Sequence, residues 1–147
     1  MSAVKVGVVA CSKTKARGRC AAVDLYRGRT YRAAVDLLRA WGCERIVILS
    51  ALHGAMPDHR VVDPYEWSLS KLNAMLRRQW TDAARVQIAS ALRTVGGTKE
   101  LADIDVHAIV PAAYAGALDG LPRVTRHFAG LPQGKLFAAL KAAREVA

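Results

Sequence analysis

The feature that most constrains this chain is the run Val4-Lys5-Val6-Gly7-Val8-Val9-Ala10-Cys11, followed at once by Ser12-Lys13-Thr14-Lys15. A short, β-branched and nearly all-apolar segment is the pattern of a strand covered on both faces. A second such run, Arg45-Ile46-Val47-Ile48-Leu49-Ser50, and a third at 106–110 have the same character. Between and after them lie segments of helical periodicity. Ala33, Ala34, Leu37, Leu38 and Trp41 share one face of a predicted helix over 30–41, with Gly42 as its stop. A long helix is expected from about Leu69, with Ser68 or Ser70 as N-cap and Gly96-Gly97 at its end. Leu72, Leu76, Ala83, Ile88 and Leu92 form its apolar side. Residues 124–128 read as a fourth short strand, and Pro132 opens a last helix running to Glu145, with Leu136, Phe137, Leu140 and Ala143 buried.

Strand and helix in alternation imply a parallel sheet covered on both sides. The expected fold class is α/β: one three-layer αβα domain over residues 1–147 with a small, mainly parallel four-stranded sheet in the order 2-1-3-4. The hydrophobic fraction of 52% is sufficient for such a core and too high for a disordered chain. No apolar run is long enough for a membrane span, the N-terminus lacks a secretory layout, and three cysteines without metal-type spacing fit free thiols. A cytoplasmic location, no membrane partner, no metal and no cofactor are therefore expected.

The 22 Lys and Arg residues outnumber 12 Asp and Glu, for a formal charge of +10. That excess favours a nucleotide or nucleic acid as partner, although an arginine-rich proteome gives the same balance with no such role. Arg77, Arg78 and Arg85 put a basic side on the long helix and, with Lys15, are the candidate nucleic-acid contacts.

In open α/β sheets, ligands bind beyond the carboxyl ends of the strands. The loops at 11–19, 50–66 and 111–115 should therefore converge. Ser12, Lys13 and Thr14 offer hydroxyls, an ammonium group and backbone amides to a phosphate or carboxylate, without the glycines of a Walker loop. Cys11 is read as a packed thiol in preference to a nucleophile. His53, at a strand exit before Gly54, reads equally as a general acid/base or as a backbone cap. In Asp63-Pro64-Tyr65-Glu66, proline fixes the direction of Asp63 and Tyr65 offers a stacking face with a polar tip. Tyr65, Glu66 and Tyr114 join Ser12, Lys13 and Thr14 as substrate-binding candidates, and Asp63 with His53 forms the candidate catalytic pair. Trp80 is read as core.

The series Ala10 to Lys15, Asp24-Leu25-Tyr26, Ile48 to Gly54, Asp63-Pro64-Tyr65, Leu69, Trp80, Tyr114 and Ala129 to Gly134 resembles the DUF6884 group of small bacterial and phage domains. The Leu-Ser-Ala, Gly, Pro-Tyr, Leu, Trp order is also similar to part of the larger peroxide stress protein YaaA family. That second resemblance implies DNA binding and protection of DNA from oxidative damage. Two functions are expected from the whole. The first is a nucleotide- or nucleic-acid-base-processing enzyme cleaving or transferring an N-glycosidic bond. Asp63 would stabilise an oxocarbenium-like sugar and His53 would assist the leaving base. The second is a non-catalytic DNA-binding stress-response protein resembling the YaaA family.

Overall fold

A computed structural model describes residues 3–147, so Met1 and Ser2 of the expected domain lie outside the described residues. Its elements run β1 (Val4–Ala10), β2 (Cys20–Ala21), α1 (Ala22–Leu25), α2 (Arg29–Ala40), β3 (Arg45–Ser50), β4 (Gly54–Pro57) and β5 (Val61–Val62). They continue with α3 (Ala74–Gly96), β6 (Ile104–Ile109), α4 (Ala112–Ala115), β7 (Val124–Arg126) and α5 (Gln133–Glu145).

The main sheet has the order β4-β3-β1-β6-β7. β3, β1, β6 and β7 are parallel, with Val8 opposite Val47 on one side and Ala108 on the other. β4 folds back antiparallel on β3, so the sheet has five strands where four were expected. Gly54-Ala55-Met56-Pro57 carries no strand alternation, and its strand is made by the three-residue turn at 51–53 with Gly54 at φ 74°. A pairing of two residues each, β2 with β5, forms a separate ribbon.

β1 earns its central place by burial on both faces. On one side Val9 and Ile48 pack with Tyr31, Leu37 and Leu38 of α2 and Leu136 and Leu140 of α5. On the other, Val6 and Val8 pack with Ala84, Ile88, Leu92 and Val95 of α3. Gly7 sets the spacing beneath α2, because a Cβ there would stand 2.9 Å from Leu38 Cδ1 and 2.8 Å from Ile46 Cδ1. Among the described residues, no helix is long and apolar enough to cross a membrane.

α3 starts later than its sequence suggests. Leu69–Lys71 form a 3-10 turn, Leu72 is extended, and Asn73 is the N-cap, its side chain accepting from the Leu76 amide at 2.9 Å. Ser68 and Ser70 instead pair with each other at 2.7 Å. The buried stripe is Ala84, Ile88, Ala91, Leu92 and Val95; Leu76 and Ala83 of the expected stripe are exposed. The free half of the helix is tied down by Trp80, whose indole N–H donates to the Ser50 carbonyl at 3.0 Å. At the opposite edge β7 stops at Arg126, short of the expected 128, and Phe128 takes φ 59°.

Candidate strand-end site

The carboxyl ends of β1 and β3 and the start of α4 surround a cleft of about 770 Å³. Cys11, Ser12, Lys13, Thr14 and Lys15 form one wall, Glu66, Trp67, Ser68, Ser70 and Lys71 the other, and Tyr114 closes an end.

The first wall is shaped by its own backbone. The Cys11 amide extends the β1–β3 ladder to Leu49 O at 2.9 Å. Ser12 Oγ donates to Thr14 O at 2.9 Å and accepts from the Gly28 amide at 3.1 Å. The Ser12 hydroxyl is thus committed to holding the loop, leaving the Lys13 and Lys15 ammonium groups and the Thr14 hydroxyl as its ligand-facing chemistry. Gly28 is required for this approach, since a Cβ would stand 2.9 Å from Ser12 Cβ. Lys15 Nζ donates to Lys13 O at 3.2 Å and lies 4.6 Å from the Tyr65 ring centroid. Burial lowers the Lys15 pKa, against the pull of Cys11 and Glu66.

Behind this wall the hydroxyls of Ser50, Tyr65 and Tyr26 form a chain, 2.5 Å and 2.6 Å long in its two steps. Ser50 Oγ also accepts from the amides of Leu52 and His53. Both of its lone pairs are then filled, so its own proton goes to Tyr65. Burial pushes the Tyr26 phenol up to about 12, against the Tyr65 hydrogen bond, and pushes Tyr65 up as well. These phenols stay protonated and act as fixed dipoles. Tyr114 donates or accepts with Cys11 Sγ at 3.4 Å and rests edge-on against Trp80, ring centroids 5.3 Å apart. Its phenol is raised by burial first and by Cys11 second.

Comparison with known families bears on this arrangement. The model of a family of unknown function, DUF6884, matches residues 6–142. The chain belongs to this family. No curated protein and no solved structure matches it. The matched span of this DUF6884 domain includes both walls of the cleft and the tyrosine chain behind it.

The other expected site residues divide sharply. Ser12, Lys13, Thr14, Lys15, Glu66 and Tyr114 line the cleft. Tyr65 lies behind it as a buried support in the hydroxyl chain. His53 stands edge-on to Tyr65 at 5.2 Å, its pKa lowered by burial and then by Arg60, and it does not line the cleft. Asp63 is exposed, has no side-chain bond among the described residues, and also lies off the cleft wall. The structure joins Asp63 and His53 by no hydrogen bond or ion pair, and the carboxylate of the cleft is Glu66. Proline at 64 does fix Asp63, but in a direction away from the cleft.

The basic side of α3 is largely spent within the DUF6884 domain. Arg77 donates to Leu69 O at 3.1 Å. Arg85 binds Gly116 O and Asp119, each at 3.0 Å, and faces Asp82 at 3.8 Å. Arg78 is exposed and unpaired among the described residues. Trp67, Ser68, Ser70 and Lys71 were hidden in the sequence by their assignment to the start of a helix. The dense aromatic and hydroxyl run after Pro64 is the signal that marks them. Among the described residues, no three His, Cys, Asp or Glu side chains are grouped as a metal site needs.

Proposed function

We propose that this domain binds a nucleotide, free or within a nucleic acid, in the strand-end cleft and acts on its N-glycosidic bond. The observation that carries this reading is the meeting of Lys13, Lys15 and Lys71 with Trp67, Tyr114 and Glu66 around one cleft. Ammonium groups and hydroxyls suit a phosphate, aromatic faces suit a base, and a carboxylate suits a sugar that gains positive charge at its anomeric carbon. Lys13 and Lys71 hold the phosphate. Trp67 offers the stacking face. Glu66 stabilises the oxocarbenium-like sugar or takes a proton from the attacking water, while the base leaves with its bonding electrons. Glu66 therefore replaces Asp63 in the role first expected for it. The three free cysteines are compatible with a reducing compartment such as the cytoplasm.

The test is base release by the pure protein from nucleotides and from single- and double-stranded DNA, followed by chromatography, alongside thermal shift. A ligand that binds only the folded state raises the midpoint. Glu66→Gln is expected to abolish base release and keep the nucleotide-induced shift; Lys13→Ala with Lys71→Ala is expected to abolish both. Absence of any shift or base release across these substrates refutes the reading.

The net charge of +10 favours a second reading, a non-catalytic DNA-binding protein of the YaaA kind. It requires steeply salt-dependent DNA binding that weakens when Arg78 is removed.

A further inference from the structure

The cleft does not end at Lys13. Ser12 and Lys13 also line a chamber of about 260 Å³ that runs beneath Thr30 and Gln133. Ile109, Pro111, Gln133 and Leu136 are shared between that chamber and a third, of about 280 Å³, which reaches Arg126 and His127. The three spaces form one trough along the carboxyl edge of β1, β6 and β7.

Its far end is built. Asp105 Oδ2 lies 3.2 Å from His107 Nε2, and His107 Nδ1 lies 3.0 Å from His127 Nε2. The carboxylate accepts, so His107 carries its proton on Nε2 and accepts at Nδ1 from His127. His127 is left with a lone pair on Nδ1 and no partner for it among the described residues. The two rings are nearly parallel, at 14°, and Trp41 packs on His127 with centroids 4.6 Å apart. Burial, then the neighbouring His107, lowers the His127 pKa and favours this neutral acceptor form. The His127 amide is pinned to Ala108 O at 2.8 Å, and the next residue, Phe128, holds a left-handed backbone at φ 59°. A bulky residue in that region is strained, and such strain is retained where surrounding structure fixes it. Arg126 spends Nε and Nη2 on Val110 O, so the far end presents little free positive charge. What it presents is a neutral acceptor at His127 and the amide donor and acceptor of Gln133. That set matches the edge of a base better than a phosphate.

We propose that the trough is the second half of the site, and that His127 and Gln133 take the second base of a ligand made of two nucleotide units joined through phosphate. Lys13, common to the cleft and the middle chamber, faces the linkage. The inference rests on the nucleotide reading of the cleft and specifies its ligand: a bare mononucleotide fills one end only.

Calorimetric titration of the full chain with three probes tests it. They are a deoxynucleoside monophosphate, a phosphodiester-linked deoxydinucleotide, and a pyrophosphate-linked dinucleotide. One of the two-unit probes is expected to bind at least about tenfold more tightly than the monophosphate, and which one does so identifies the linkage. Ala112→Trp, at an exposed lining position, and His127→Phe, which keeps a ring against Trp41, are each expected to remove that gain and leave monophosphate affinity unchanged. Equal affinity for one- and two-unit probes, with the monophosphate bound, overturns the second half alone. Retention of the gain in both variants also overturns it. No binding by any probe removes the nucleotide reading and this inference together.

Discussion

Ser50 is the point at which the site and the stability of the fold are joined, and Ser50→Ala tests that joint. The side chain is fully buried at the end of β3. It accepts from the Leu52 amide at 3.2 Å and the His53 amide at 3.0 Å and binds Tyr65 at 2.5 Å. Alanine leaves both amides without an acceptor and strips one partner from Tyr65, which keeps Tyr26. Each lost bond at a part-buried group costs about 1 kcal/mol, so the total is about 3 kcal/mol. For a chain of this size that lowers the melting midpoint by about 6–12 °C. Tyr65→Phe breaks two bonds of the hydroxyl chain and leaves both amide contacts, so its expected cost is about 1–2 kcal/mol. The double variant should cost less than the sum of the two by about 1 kcal/mol, because the shared bond is counted once. Urea unfolding followed by tryptophan fluorescence measures all three. A cost for Ser50→Ala below about 1 kcal/mol, with additive behaviour in the double variant, refutes the hydroxyl chain as a structural tie.

Asp58, buried at the end of the β3–β4 hairpin, is held by Arg45 Nη2 at 2.8 Å and by the Ile46 amide at 3.0 Å. Desolvation raises its pKa, but the Arg45 and Ile46 contacts outweigh it and leave the pKa below 3.8. A depressed carboxylate stabilises above its unfolded pKa and loses that contribution as pH falls through its folded one. Asp58→Asn should therefore be less stable at neutral pH and show a shallower loss of stability below about pH 4, read from urea midpoints across pH. His127 has a pKa lowered from 6.5, so its contribution is present above that pH and lost below it as the unfolded chain takes up protons more readily. His127→Phe is expected to flatten this part of the profile, with His53 contributing a residual slope of the same sign. At Gly54, φ is 74° and an added Cβ would stand 1.6 Å from Gln87 Oε1. Gly54→Ala should cost about 1–3 kcal/mol in the same assay, from left-handed strain and displacement of Gln87; a neutral effect refutes the need for glycine.

The parts of the fold legible in the sequence were those set by local pattern. Val6, Val8 and Val9 announce a strand buried on both faces, and Leu37 and Leu38 announce the helix above it. β4 was not legible because Gly54-Ala55-Met56-Pro57 has no alternation and is strand only by virtue of pairing with β3. The start of α3 was obscured by competing caps: Ser68 and Ser70 satisfy the usual preference, yet bind each other while Asn73 caps the helix. In the site, the anion-facing loop could be placed because it follows β1 directly. The opposite wall could not, since the arrival of Trp67 and Lys71 depends on the path of the chain after Pro64. Ser50 and Tyr26 escaped notice for a related reason. Their roles come from partners 15 and 39 residues away in sequence.

The hairpin that widens the sheet also determines what can happen beyond it. An outermost strand normally offers a row of amides and carbonyls to any extended chain that passes. Here Gln87 of α3 reaches over and accepts from the Ala55 amide at 3.2 Å, and Pro57 has no amide to offer. On the far side β7 is only three residues long. The sheet is closed to growth at one border by a side chain and a proline and at the other by brevity, so self-association through strand exchange has little purchase on this molecule.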